Sequence, residues 1–183
     1  MGIVPDDKNW TWVLERPCPD CRFDATTIDI ARLGDLVRDN AAAWPELLAA
    51  PDATRRPTES RWSALEYGCH VRDVFRIFDE RLRLMLETDD PDFPNWDQDA
   101  AAVAQRYELQ DPAIVADELL AAGAACAARF DMVTPDDYDR TGNRSDGSRF
   151  TIDSFGRYFI HDPVHHLRDV AVGNAWLRGA PGL

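Results

Sequence analysis

The chain has 183 residues, of which 45% are hydrophobic and 29% charged, a balance typical of one globular domain that buries its core without disulfides. Acidic residues outnumber basic ones by 33 to 20, and the net charge of −13 disfavours binding to nucleic acid. The sequence contains no apolar run near the roughly 20 residues of a membrane span, and the first residues lack the pattern of a signal peptide. We therefore expect a cytoplasmic protein that binds neither nucleic acid nor membranes.

Residues 1–25 predict an irregular N-terminal extension that packs on one domain comprising residues 1–183. Prolines and the pair Cys18 and Cys21 interrupt any helical pattern there. One Cys-x-x-Cys pair is half of a zinc ribbon, and no second pair follows, so a four-cysteine site is disfavoured. A reduced loop that packs against the domain is the favoured interpretation. A redox-active pair, or a zinc site completed by distant ligands, stays open.

Four long segments of the chain carry the apolar period of a helix. They span residues 27–50, 63–85, 112–132 and 152–177. The second has the clearest start, because Ser63 and Glu66 match a capping box, in which each side chain binds a backbone N–H at the helix end. A shorter helix is predicted at 100–107, and the turn-rich loop 134–149 accommodates a short hairpin. Nothing alternates with period two for long enough to predict a sheet, so the pattern predicts an all-α four-helix bundle.

Three of the four histidines fall in the sequence HDPVHH. His161 and His165 are four residues apart, so a continuous helix presents both rings on one face, where they reach a single metal ion. His70 lies on the predicted second helix beside its apolar stripe and faces the bundle interior from the opposite side. Three histidines from two helices leave a coordination position open, which is typical of catalytic metal sites.

Pro163 stands between the two paired histidines and opposes this prediction, since a proline inside a helix costs about 3 kcal/mol. The pair Asp162 and Pro163 is also typical of a helix start. A new helix beginning there would leave His161 outside it, whereas a kinked continuous helix would keep both rings together. His166 competes for the role of ligand, and a single histidine is more often a core or surface residue than a ligand.

Two short stretches resemble motifs of the DinB-like superfamily, which includes the N-terminal domains of mycothiol-dependent maleylpyruvate isomerases. RWSALEYGCHVRD resembles the family's W-S-x-x-E-x-x-x-H, and FIHDPVHHLRDV resembles its H-x-x-x-H. With the helix count, the resemblance covers residues 27–178. It implies an up-down-down-up four-helix bundle, a zinc or nickel site held by His70, His161 and His165, and assembly as a homodimer.

The resemblance also implies thiol-dependent transferase or isomerase chemistry. A metal-bound low-molecular-weight thiol of the mycothiol or bacillithiol type would be held as the thiolate, which attacks a small electrophile or isomerises a small acid. Asp73 and Asp169 are candidate acceptors for the outer nitrogen of a ligand imidazole. Four arginines near the histidines are candidates to bind a substrate carboxylate: Arg72, Arg76, Arg157 and Arg168.

Two other function classes remain open, and the motifs identify no catalytic or cofactor-binding residue. The first alternative is a non-enzymatic metal-binding or stress-response bundle. The second is a redox or metal-sensing module centred on Cys18 and Cys21, which requires exposed thiols of low pKa.

Overall fold

The computed structural model of the protein describes residues 9–179, and its long helices form a four-helix bundle. The α-helices are α1 (Leu33–Ala42), α2 (Trp44–Leu48), α3 (Ala64–Glu87), α4 (Gln98–Ala104), α5 (Pro112–Asp131) and α6 (Ile152–Leu177). The first helix of the bundle is α1 continued by α2, and the other three are α3, α5 and α6. The predicted all-α bundle is confirmed, and the bounds of α3, α5 and α6 agree with the predicted segments to within two residues.

The first predicted helix is shorter than expected. Two 3-10 turns, Ala25–Thr27 and Ile30–Arg32, take the place of its first turns, because the side chains of Asp24 and Asp29 each bind the backbone N–H two residues further on. The helix is interrupted again between α1 and α2, where Pro45 has no backbone N–H to continue the ladder.

Helices α3 and α5 run parallel. Arg72 pairs with Glu118 near their starts, and Asp79 pairs with Arg129 several turns later. The connecting segment is long enough to return the chain to the same end of the bundle, and it includes α4. Helix α1 runs antiparallel to α5, because Gly34 near its start lies against Asp131 at the end of α5, whereas Ala41 near its end meets Gly123 two turns earlier in α5. A Cβ at Gly123 would lie 2.7 Å from the Cβ of Ala41, so only glycine permits this approach.

Helix α6 lies antiparallel to α3. Phe155, in its first turn, packs on Phe78 in the second half of α3 with ring centroids 4.9 Å apart, whereas His70 near the start of α3 meets the middle of α6. Phe159 packs on the same Phe78 ring, with centroids 4.8 Å apart. The bundle is therefore up-down-down-up.

A small three-stranded sheet covers the far end of α3. Its strands are β1 (Asp92–Phe93), β2 (Thr141–Arg144) and β3 (Arg149–Thr151). The central strand, β2, pairs parallel with β1 and antiparallel with β3. The predicted absence of a sheet is wrong, because strands of two to four residues are too short to show period two. The hairpin allowed for in loop 134–149 is present, with Gly147 at a positive φ of 92° in its turn.

The start of α3 is fixed by the predicted capping box. The hydroxyl of Ser63 accepts the backbone N–H of Glu66, and the Glu66 carboxylate accepts the backbone N–H of Ser63 at 2.9 Å. Arg56 also donates to that carboxylate, which is buried. The cap places His70 almost two turns into the helix. Within residues 9–179, each helix is too short or too polar to cross a membrane.

Candidate metal centres

Helix α6 continues through Pro163 without a break. The proline is buried, and its carbonyl accepts a hydrogen bond of 2.9 Å from the side chain of Asn40 on α1. The alternative in which a new helix begins at this proline is therefore wrong. His161 and His165 share one face of α6, and their ring centroids lie 5.2 Å apart.

Two groups of metal-ligating side chains lie side by side on α6. Within each group, one potential ligand atom from every residue lies within 4.8 Å of the others. The His–Asp cluster consists of His70, Asp162 and His166, and the Cys–His cluster consists of Cys18, Cys21, His161 and His165.

The predicted ligand set of His70, His161 and His165 is divided between these clusters. His161 and His165 lie together beside the N-terminal segment, whereas the ring of His70 packs against His166, with centroids 4.7 Å apart. The three-histidine set stays a prediction. Sequence reasoning missed Asp162 as a candidate ligand, although Asp162 and His166 repeat the same four-residue spacing one position further along α6.

In the His–Asp cluster, two imidazoles converge on one carboxylate oxygen. Asp162 Oδ1 lies 3.2 Å from His70 Nε2 and 3.6 Å from His166 Nε2. The other nitrogen of His166, Nδ1, lies 3.0 Å from Asp169 Oδ2, which fixes the orientation of the ring. His70 Nδ1 is buried and has no hydrogen-bond partner among residues 9–179. The cluster is open to solvent on one side, where the Asp162 side chain is 34% exposed.

The charges of the His–Asp cluster suit a cation. Burial opposes protonation of His166, but Asp162 and Asp169 outweigh it and raise the pKa of this imidazole to about 10. Burial likewise opposes ionisation of Asp162, yet His70 and His166 hold the pKa of its carboxyl well below the usual value. The two carboxylates thus retain a positive charge between them. A divalent metal ion bound in place of the proton on His166 would supply that charge, and the imidazole and carboxylate donors fit zinc or nickel.

Aromatic side chains enclose the His70 side of this cluster. Trp96 stacks on the His70 ring at 5.3 Å and 15°, and Trp62 lies 5.4 Å from the same ring. Tyr67 packs on His166 at 5.0 Å. Burial raises the pKa of Tyr67, and the charge of Asp169 acts in the same direction, so its hydroxyl stays protonated. Access from solvent is therefore confined to the side of Asp162 and His166.

The Cys–His cluster is more enclosed. Cys18 Sγ lies 3.6 Å from His165 Nδ1, and the other nitrogen of that ring, Nε2, lies 3.6 Å from Asp169 Oδ2. Cys18 is 1% exposed and His161 is 4% exposed. Trp10 covers the cluster, because its ring centroid lies 5.4 Å from those of both histidines. His161 Nε2 is buried and lacks a hydrogen-bond partner in the described part of the chain.

The protonation of the Cys–His cluster does not match a reactive redox pair. Burial raises the pKa of Cys21 to about 11, and the neighbouring Cys18 adds to the effect. Burial also lowers the pKa of His161 to about 4, with a further contribution from His165. The redox-sensing alternative requires exposed thiols of low pKa, and neither the burial of Cys18 nor the pKa of Cys21 meets that condition.

The four candidate arginines are all paired within the protein. Arg72 and Arg76 bind carboxylates on α3 and α5, Arg157 binds Asp153, and Arg168 donates to the backbone carbonyl of Asp20. These pairings favour structural roles over recognition of a substrate carboxylate. Of the two candidate acceptors, Asp169 contacts imidazoles, whereas Asp73 accepts a hydrogen bond of 2.6 Å from Tyr107.

Both the sequence and the fold are similar to those of known proteins. A sequence model of the DinB superfamily matches residues 33–170, a span that contains the His–Asp cluster and excludes Cys18 and Cys21. The fold is similar to that of YfiT from Bacillus subtilis, described as a probable metal-dependent hydrolase with an unusual four-helix bundle topology. The match has a TM-score of 0.64 and 14% identity and covers 99% of this chain and 95% of YfiT. No curated protein matches the sequence.

Proposed function

The chain belongs to the DinB superfamily, and from that premise we propose that it is a metal-dependent hydrolase whose active site is the His–Asp cluster. The observation that carries the proposal is the convergence of His70 Nε2 and His166 Nε2 on Asp162 Oδ1 in a cluster open to solvent. The description of YfiT as a probable metal-dependent hydrolase supports the reaction class.

The distances within the cluster suit one shared ion. Nitrogen and oxygen ligands at about 2.0–2.2 Å from a zinc ion lie roughly 3.0–3.6 Å apart, depending on the coordination number. The separations of Asp162 Oδ1 from the two imidazole nitrogens are 3.2 and 3.6 Å. Three protein ligands leave at least one coordination position for water or substrate, which is the arrangement of catalytic zinc sites.

The side chains around the His–Asp cluster orient its ligands and control the access of water. His70, His166 and Asp162 would hold the zinc ion, which would lower the pKa of a coordinated water to about 7 and make hydroxide available at neutral pH. Asp169 holds the His166 ring in the orientation that directs Nε2 towards Asp162. Trp62 and Trp96 exclude water from the side of His70. A substrate therefore approaches beside Asp162, where the cluster meets solvent.

The thiol chemistry implied by the family resemblance remains a prediction. The open position that accepts water also accepts a low-molecular-weight thiol of the mycothiol or bacillithiol type, held as the thiolate. The thiol would then be transferred to a small electrophile or serve in isomerisation of a small acid. Hydrolysis proceeds without an added thiol, so an assay with and without one distinguishes the two activities.

The test uses the full chain, stripped with a chelator and reloaded with zinc or nickel. We expect hydrolysis of activated carboxylic or phosphate esters by the loaded protein, its loss on chelation, and its absence in His166→Ala and in Asp162→Asn. Asp117→Asn, an exposed site on α5, is the matched control for Asp162→Asn. Equal activity in loaded, stripped and His166→Ala protein would refute the proposal. Metal bound at His70 and His166 without activity, with or without thiol, would favour the non-enzymatic metal-binding bundle.

A further inference from the structure

We propose that the Cys–His cluster is a second and closed metal site, in which Cys18, Cys21, His161 and His165 bind one zinc ion and attach the N-terminal segment to α6. This site is separate from the active site proposed above and is not needed for the argument made there. Two of its four residues lie outside the span that matches the superfamily.

The spacing of the four residues is that of a zinc site. Cys18 and Cys21 are separated by two residues, and His161 and His165 by three, which are the intervals of two-cysteine, two-histidine zinc sites. The two pairs lie far apart in the sequence, and the fold brings them together. His161 and His165 therefore provide the two further ligands that the Cys18 and Cys21 pair lacks in the sequence around it.

The distances agree with tetrahedral coordination. Sulfur and nitrogen ligands at about 2.0–2.3 Å from a tetrahedral zinc ion lie roughly 3.4–3.8 Å from one another. Cys18 Sγ and His165 Nδ1 are 3.6 Å apart. All four residues offer a ligand atom within 4.8 Å of the others, so a small contraction brings the set to coordination distance.

The enclosure of the cluster points to a structural ion with four protein ligands. Cys18 and His161 are almost fully buried, and Trp10 and Trp12 pack over the His161 ring. A buried imidazole nitrogen without a partner is unfavourable, because it has lost its hydrogen bond to water. His161 Nε2 is such an atom among the described residues. Coordination of an ion offers this ring a partner that the protein does not supply.

The loop that carries the cysteines is held in a ligating conformation. The N–H of Arg22 donates to the Cys18 carbonyl at 2.8 Å, and the N–H of Cys18 donates to the Phe23 carbonyl at 2.9 Å. Arg22 has a left-handed φ of 62°, which lets the chain reverse directly after Cys21. Arg168 of α6 donates to the carbonyl of Asp20, between the two cysteines. These contacts direct both sulfurs towards the helix that carries the histidines.

An outer contact orients the His165 ligand. Its Nε2 lies 3.6 Å from Asp169 Oδ2, while its Nδ1 faces Cys18. Metal-binding histidines are commonly oriented in this way, with the outer nitrogen directed at a carboxylate. The competing interpretation is a disulfide between Cys18 and Cys21, and both are free thiols in this structure.

Metal content of the full chain, loaded with excess zinc and then desalted, tests the proposal. We expect two zinc ions per chain in the wild type and one in Cys18→Ser/Cys21→Ser. We also expect one in His70→Ala/His166→Ala and two in Cys126→Ser, a buried cysteine on α5 that serves as control. Unchanged zinc content in the Cys18→Ser/Cys21→Ser protein would refute the second site. Failure of the active-site proposal has another signature, which is unchanged metal content and activity in the His70→Ala/His166→Ala protein.

Two further measurements do not require Cys18→Ser/Cys21→Ser, a variant that loses the proposed structural ion and can fail to fold. Cobalt loaded into the wild type should show a thiolate-to-cobalt charge-transfer band, which is retained in His70→Ala/His166→Ala. Alkylation of Cys18 and Cys21 should be slow with zinc and at least tenfold faster after chelation, while Cys126 stays protected. Absence of the band, equal labelling with and without zinc, or a disulfide-linked pair in freshly purified protein would overturn the proposal.

Discussion

The two clusters on α6 differ in what covers them. His161 and His165 precede Asp162 and His166 by one position, a rotation of about 100° around the helix axis. The first pair faces the N-terminal segment, which adds two cysteines and two tryptophans and closes the site. The second pair faces α3, which adds His70 as one further ligand candidate and packs Tyr67 on His166, but leaves Asp162 at the surface. The same four-residue spacing thus provides a closed or an open site, according to the element that packs on it.

The largest expected effect is on activity and separates the clusters directly. Asp162→Asn removes a ligand of the open cluster and should lower kcat/KM by more than about 100-fold, since loss of an outer contact alone costs 10–100-fold. His161→Gln should lower it by less than tenfold in protein of native helix content. A loss as severe in His161→Gln would break the comparison and favour the predicted set of His70, His161 and His165.

Thermal stability should depend more on the Cys–His cluster than on the His–Asp cluster, which is the reverse of the order expected for activity. Cys18→Ser/Cys21→Ser removes a structural ion, whose binding contributes several kcal/mol of folding free energy, and should lower Tm by about 10 °C in a chain of this size. His70→Ala/His166→Ala should lower Tm less. Thermal unfolding monitored by circular dichroism, with and without chelator, measures both. A chelator effect as large in Cys18→Ser/Cys21→Ser as in the wild type would contradict the assignment of the main stabilising ion to the closed cluster.

Asp169 tests how independent the clusters are, because its Oδ2 faces His166 at 3.0 Å and His165 at 3.6 Å. Asp169→Asn should weaken zinc binding by about 10–100-fold at the His–Asp cluster and by less at the Cys–His cluster. Competition with a chromophoric chelator measures the two affinities. Equal affinities in Asp169→Asn and wild type would show that this carboxylate does not orient the ligands.

The smallest effect concerns the cap that places His70. Burial opposes ionisation of Glu66, but Arg56 and Ser63 outweigh it and lower the pKa of this carboxyl. A lowered pKa in the folded state stabilises the protein above the ordinary value of about 4.5, and this contribution is lost as the pH falls through the folded pKa. Glu66→Gln should therefore cost about 1 kcal/mol at pH 7, and the difference from wild type should shrink at pH 3. Urea unfolding at both pH values measures it, and a constant difference would contradict the assignment.

The long helices were predictable because their signals are local. Ser63 and Glu66 mark the start of α3, Pro112 marks the start of α5, and their apolar periods extend over many turns. The interruption at Pro45 also has a local cause, but the apolar stripe of the segment continues past this proline and predicted one helix over 27–50. The three short strands were not predictable, because they depend on tertiary contacts and on runs too short to show a period.

The grouping of the site residues was not predictable for a different reason. The spacing of four occurs twice in HDPVHH, and which pair faces α3 depends on the rotation of α6 about its own axis. That rotation is determined by distant partners, among them Asn40, which binds the Pro163 carbonyl, and Phe78, which packs on Phe159. The approach of Cys18 and Cys21 depends in addition on the course of the N-terminal segment, which has no periodic pattern.

The separation of Cys18 and His165 along the chain has a thermodynamic consequence. The two residues are 147 positions apart, so an ion that joins them closes most of the sequence into one loop. A covalent link around a loop of this length removes conformational entropy from the unfolded chain worth about 5 kcal/mol at 25 °C. A zinc ion, unlike a covalent link, leaves the unfolded chain, so folding itself closes this loop and the four ligands of the Cys–His cluster meet only while nearly the whole protein is folded.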